Sequence, residues 1–195
     1  MRARVLLGTA ATVALLATGC GSRGATGAQP DTSDHASASA KDMSMNMGTG
    51  DRPSDPAKMI CGAEIQDAVR RTFALSGNPS SVHSWSKSDR VYSCTYRLPH
   101  GKLAMSVQDS LDEKSGRAYF DALRKRLPGA RVISGMESYG FPAFETSDGN
   151  VVFLKDGKTL RVDATSLPSA ALPKGFSREE AAFSVASAVI ACWSE

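Results

Sequence analysis

Three methionines at alternate positions, Met43, Met45 and Met47, form a cluster of soft ligands with His35 and Asp42 close by in the chain. Thioether sulfur selects Cu(I) over harder cations, and a chain without fixed structure can wrap three such groups around one ion. Copper handling through Met43, Met45 and Met47 is therefore one function class to carry forward. Conventional catalytic chemistry has little to work with. The three histidines are His35, His83 and His100, and no Gly-x-Ser-x-Gly turn supplies a serine nucleophile for any of them. There is no phosphate-cradling glycine loop with its lysine, no dinucleotide-binding turn between a strand and a helix, and no cysteine or histidine pair at zinc-ligand spacing. Asp109, Asp112 and Glu113 cluster beside a helix start, where carboxylates meet the positive end of the helix dipole. Arg124, Lys125 and Arg126 near the end of the same helix follow the same rule with the sign reversed. The expectation is a chain that is not an enzyme and needs no cofactor.

Cys20 carries a different kind of chemistry. Arg2 and Arg4 precede an uncharged apolar run, Val5 to Ala17, which closes on small residues and then Cys20. The run is shorter than the roughly 20 residues of a bilayer span and has the form of a secretory leader. Ala17-Thr18-Gly19-Cys20 resembles the bacterial lipobox, with Ala17 where leucine is most usual and Leu16 one place earlier. The resemblance implies a leader over residues 1–19, removed so that an acylated Cys20 becomes the first residue and holds the protein on the outer face of the cell membrane. Several acyl chains, each burying methylenes at about 0.8 kcal/mol apiece, give a durable anchor.

Without Arg2 and Arg4, 21 of the 23 lysines and arginines remain and nearly balance the 20 aspartates and glutamates. A nucleic-acid partner would require a concentrated basic face, so none is expected. Residues 20–57 contain Gly, Ala, Ser, Thr, Asp and Pro in plenty, and from Gly21 to Asp55 there is no aromatic or β-branched aliphatic side chain. Such a segment cannot bury enough apolar surface to offset its ordering entropy and is read as a tether, with a span of roughly 30–40 Å. The remaining 58–195 is one domain by length.

Within that domain the periodicity predicts a helix over 63–75, with Ile65, Ala68, Val69, Thr72 and Phe73 on one face. Alternation predicts strands over 91–98 and 102–109, turned by Pro99-His100-Gly101. A helix follows over 113–127, then strands over 141–146, 150–155 and 158–165 separated by Ser147-Asp148-Gly149 and Asp156-Gly157. Ser177 and Glu180 form a capping box that opens a last helix carrying Ala182, Val185, Ala186, Val189 and Trp193 on one face. The order α-β-β-α-β-β-β-α, with tight turns between consecutive strands, implies an α+β, two-layer sandwich whose antiparallel sheet is covered by helices. Gly135 to Gly140 is expected to be an ordered loop, its Tyr139 packing at the sheet edge.

Export places Cys61, Cys94 and Cys192 in a compartment that permits disulfides, and three pairings are open. Cys61 with Cys94 is favoured, because Cys94 shares a strand face with Tyr92 and Tyr96 and Cys61 opens the helix next to that strand in the chain. Cys192 would then pack as a small hydrophobe beside Trp193. The rival, Cys61 with Cys192, would tie the two ends of the domain together.

Cys61-Gly62-Ala63-Glu64-Ile65, Ser93-Cys94-Thr95-Tyr96 and Ile190-Ala191-Cys192-Trp193, together with the leader, resemble small secreted lipoproteins of actinobacteria. The resemblance covers residues 1–22 and 61–195 and implies a lipid-anchored envelope protein with one α+β domain that binds an envelope protein or ligand. It supplies no catalytic residues. Two classes thus stand: a non-catalytic binding or interaction module of the cell envelope, and a copper-handling lipoprotein.

Overall fold

The computed structural model describes residues 51–194. Cys20 and Met43, Met45 and Met47, with the expected leader and most of the expected tether, lie outside the described residues. The packed chain begins earlier than the expected boundary at residue 58. Ser54 is buried and caps a short helix, α1 (Asp55–Met59), whose Ala57 is fully buried. The Pro-containing stretch that reads as the end of a tether is Pro at the first turn of a helix, where its missing N–H costs nothing.

Helix α2 (Ala63–Thr72) buries Ile65, Ala68 and Val69. It ends three residues before the expected Leu75. Ala74 adopts a left-handed backbone (φ +49°), with Leu75 N–H donating to Arg70 and Ala74 N–H to Arg71. This is a Schellman closure with alanine where glycine is usual. Strands β1 (Ser81–Ser86), β2 (Val91–Leu98) and β3 (Gly101–Asp109) then form an antiparallel meander. β1 is an addition to the expected order. Its sequence, Ser-Val-His-Ser-Trp-Ser, has no apolar alternation, and its strand form rests on pairing with β2 from Ser81 opposite Tyr96 to Ser86 opposite Val91.

Asp112 caps helix α3 (Glu113–Arg126), accepting from the Ser115 N–H at 2.8 Å. A second meander follows: β4 (Arg131–Val132), β5 (Ala143–Thr146), β6 (Asn150–Lys155) and β7 (Lys158–Asp163). β4 is also additional and only two residues long. β7 returns beside β3, so the seven strands run β1-β2-β3-β7-β6-β5-β4, all antiparallel. The capping box at Ser177 and Glu180 is formed and opens α4 (Arg178–Cys192).

The expected α+β class with a helix-covered antiparallel sheet is what the fold shows, but the helices divide between both faces of the sheet, so there are three layers where two were expected. Helices α2 and α4 cover one, with Val69, Val185 and Val189 against Tyr96, Met105, Val107, Phe153, Leu160 and Val162. α3 covers the other, where Phe120 and Leu123 meet Phe144, Val152 and Leu154. Phe120 and Phe144 pack edge to face at 5.1 Å. β6 lies beneath both layers, which is why Val151 to Leu154 read as an unbroken apolar run.

Cys61 and Cys94 are joined, with Cα atoms 5.6 Å apart. The bridge holds the approach to α2 against the middle of β2, and the buried Tyr96 hydroxyl donates to the Ile60 carbonyl at 2.9 Å beside it. Burial keeps that phenol protonated far above its ordinary range. Cys192 lies half-buried at the end of α4.

Candidate functional site

At one end of the sheet, a cleft of about 330 Å³ with a mostly apolar lining opens between four pieces of chain. Each piece is positioned by the local rules already described. Ser54 and Pro56 come from the capped first turn of α1. Ser110 and Leu111 connect β3 to Asp112, the N-cap of α3, and Glu113 is the first residue of that helix. Lys155, Asp156 and Lys158 form the β6–β7 hairpin, and Trp193 follows α4. Trp193 is fixed by its indole N–H, which donates to the Pro56 carbonyl at 3.0 Å. Leu111 leaves 62% of its surface exposed at the cleft.

The walls are held together at two points. Gly116 in α3 lies against the backbone of Gly157 in the hairpin turn, so close that a methyl group there would stand 2.2 Å from the Gly157 carbonyl oxygen. Gly157 itself has φ +72°, which the tight turn requires. The second point is Asp109, at the end of β3. One carboxylate oxygen accepts from the Ser54 N–H at 2.7 Å, tying α1 to the sheet. The other lies 3.9 Å from the ammonium of Lys158, and both side chains are almost fully buried, at 3% and 8% exposure.

Lys158 is the unusual member. It sits opposite Asp109 on β3 and opposite Lys155 on β6, so two lysines are direct cross-strand neighbours at the cleft. Like charges in that position repel. Lys155 is relieved by Asp156 at 2.6 Å. The acids around the opening are engaged or exposed. Asp112 is committed to Ser115, whose backbone N–H and then hydroxyl hold its carboxyl below the usual range. Asp156 and Glu113 face solvent.

Asp109, Asp112 and Glu113, adjacent in sequence, have separate tasks here. Asp109 is a buried partner of Lys158 and Ser54, Asp112 is the N-cap of α3, and Glu113 lies in the first turn. Arg124, Lys125 and Arg126 occupy the last turn of α3 as expected. His83 stacks on Tyr92 at 5.7 Å on β1, and His100 lies in the exposed β2–β3 turn. Tyr139, in a short 3₁₀ turn between the left-handed Gly135 and Gly140, is exposed and stacks on Phe141 at 6.2 Å. Among the described residues, the buried polar side-chain atoms without a partner are Trp85 Nε1 and Thr159 Oγ1, both away from the cleft lining.

Sequence reasoning passed over Leu111, Lys158 and the cleft itself. A signal was available for the charges. Lys158 shares its strand parity with Leu160 and Val162, and Asp109 with Leu103, Met105 and Val107, so both belong on covered faces. Comparison with protein-family models, with curated proteins and with solved structures finds no match to this chain.

Proposed function

We propose that the chain is a non-catalytic binding module, held on the outer face of a membrane through an acylated Cys20, with the cleft at the sheet end as its ligand site. The observation that carries the binding role is the apolar wall of that cleft, where exposed Leu111 stands near the immobilised Trp193 and Pro56. At about 330 Å³ it falls at the small end of the roughly 300–1,000 Å³ typical of ligand pockets. Its open surface is mostly apolar, as in such sites, while seven of the ten residues around it are polar or charged. The anchor rests on the lipobox-like Ala17-Thr18-Gly19-Cys20 and the uncharged run before it.

Two measurements test this reading. The full chain should bind 1-octanol, a small neutral amphiphile, saturably by calorimetry, and Leu111→Asp should remove the binding while leaving the melting midpoint in place. Non-saturable uptake, or uptake indifferent to Leu111→Asp, would move the ligand site elsewhere. Cys20→Ala should shift the protein from the membrane fraction to the soluble one; continued sedimentation with membranes would remove the anchor from the proposal.

A further inference from the structure

We infer that the cleft takes an amphipathic anion, a short acyl chain ending in a carboxylate, with the Lys158 ammonium as the group that binds its head. This rests on the reading of the cleft as a ligand site and adds the ligand's chemistry to it.

Three observations carry the inference. The first is the state of Lys158. An ammonium offers three donors, yet this one, 8% exposed, faces its counter-ion at 3.9 Å, beyond hydrogen-bond length. A buried cation is held well only when close hydrogen bonds replace the water it has lost. Asp109 cannot come closer without cost, because its other oxygen is tied to Ser54 at 2.7 Å. Asp109 therefore does not take up the donors of an ammonium whose residue lines the cleft.

The second observation is the neighbour. Lys155 stands directly across the hairpin from Lys158 and also lines the cleft. An anionic oxygen placed near both ammonium groups turns a repulsive cross-strand pair into a shared site. Asp156 pairs Lys155 at 2.6 Å and takes up part of that repulsion; a neutral ligand leaves the remainder in place, and a cationic one adds to it.

The third is shape. The lysines stand at the β6–β7 hairpin, and Leu111, Pro56 and Trp193 supply the apolar surface; of the three carboxylates that also line the cleft, Asp112 is held by Ser115, Asp156 by Lys155, and Glu113 faces solvent. A small inorganic anion would satisfy the lysines and leave that surface wet. An anion with a short apolar tail satisfies both. The cleft volume sets the tail at the length of one short acyl chain rather than a phospholipid.

The test titrates the full chain with octanoate, 1-octanol and inorganic phosphate by calorimetry at neutral pH and fixed ionic strength. Octanoate should bind at least about tenfold more tightly than either of the others, the loss of one charge-assisted hydrogen bond being worth about that factor. Lys158→Gln should weaken octanoate about tenfold and leave octanol unchanged. Because that substitution alters a buried pair and could unfold the chain, Asp109→Asn is the second variant. Its amide oxygen can still accept from Ser54, and removal of the competing carboxylate should tighten octanoate, the opposite of what a merely weakened fold would do. Equal binding of octanoate and octanol, or unchanged or weakened octanoate binding in Asp109→Asn, would overturn the role of Lys158 while leaving the cleft as a site. Phosphate binding as tightly as octanoate would overturn the amphipathic ligand. Failure of all three probes to bind would overturn the inference together with the reading beneath it.

Discussion

Removal of the Cys61–Cys94 bridge, by replacing both cysteines with alanine, should cost the fold a large part of its stability. The bridge spans a sequence separation of 33. In the chain-entropy description, closing a loop of that size in the unfolded chain is worth about 3.7 kcal/mol. A domain of this size has only about 5–15 kcal/mol in total. With a midpoint sensitivity of roughly 3 °C per kcal/mol, the melting temperature should fall by about 10 °C. The fall should also be uneven. Helix α2 is otherwise held by Ile65, Ala68 and Val69 and by the Thr72–Ser184 hydroxyl contact at 3.2 Å, whereas β6 is packed from both sides. Amide exchange in α2 should therefore accelerate well before exchange in β6. Scanning calorimetry and hydrogen exchange on the full chain read both effects. A midpoint shift under about 3 °C, or alkylation of Cys94 in the native, unreduced protein, would refute the argument. Cys94 has no exposed surface, so its labelling would mean that the bridge is elsewhere.

Two further substitutions probe the cleft's framework and the helix ends. Gly116→Ala would improve helix propensity by about 1 kcal/mol but force a methyl group into the Gly157 backbone, so a net loss of about 2 kcal/mol is expected by thermal melting; a neutral or stabilising result would refute the close approach. The Asp112 carboxyl, held down by the Ser115 N–H and hydroxyl, and the Glu180 carboxyl, held down chiefly by the Ser177 N–H, both titrate below their ordinary values of 3.8 and 4.5. A depressed folded pKa contributes stability above the ordinary value and loses it as pH falls through the folded one. The melting midpoint should thus drop below about pH 4.5, and Asp112→Asn with Glu180→Gln should shallow that drop. An unchanged acid limb would show that the two caps carry none of it.

Local patterns decided most of the secondary structure. Alternation in β2, β3 and β7, the turns at Pro99-His100 and Asp156-Gly157, the Asp112 cap and the Ser177–Glu180 box each depend on residues within a few positions of one another. β1 was invisible by the same logic, because its serines and histidine become a strand only through β2. The end of α2 was also misplaced, since Ala74 in a left-handed backbone follows from hydrogen bonds to Arg70 and Arg71 and not from its own preference. The parity of their strands puts Asp109 and Lys158 on covered faces, a signal the helix-start reading of Asp109 leaves unused. That they stand opposite each other follows from β7 returning to pair with β3, a contact across 49 residues with α3 and three strands between. The cleft needs more still: α1, the β3–α3 loop, the β6–β7 hairpin and Trp193 must meet at one end of the sheet. Sequence fixes which face a side chain belongs to through the period of its own strand or helix. Which faces meet is decided by the packing that buries them together, and the candidate site exists only at that level.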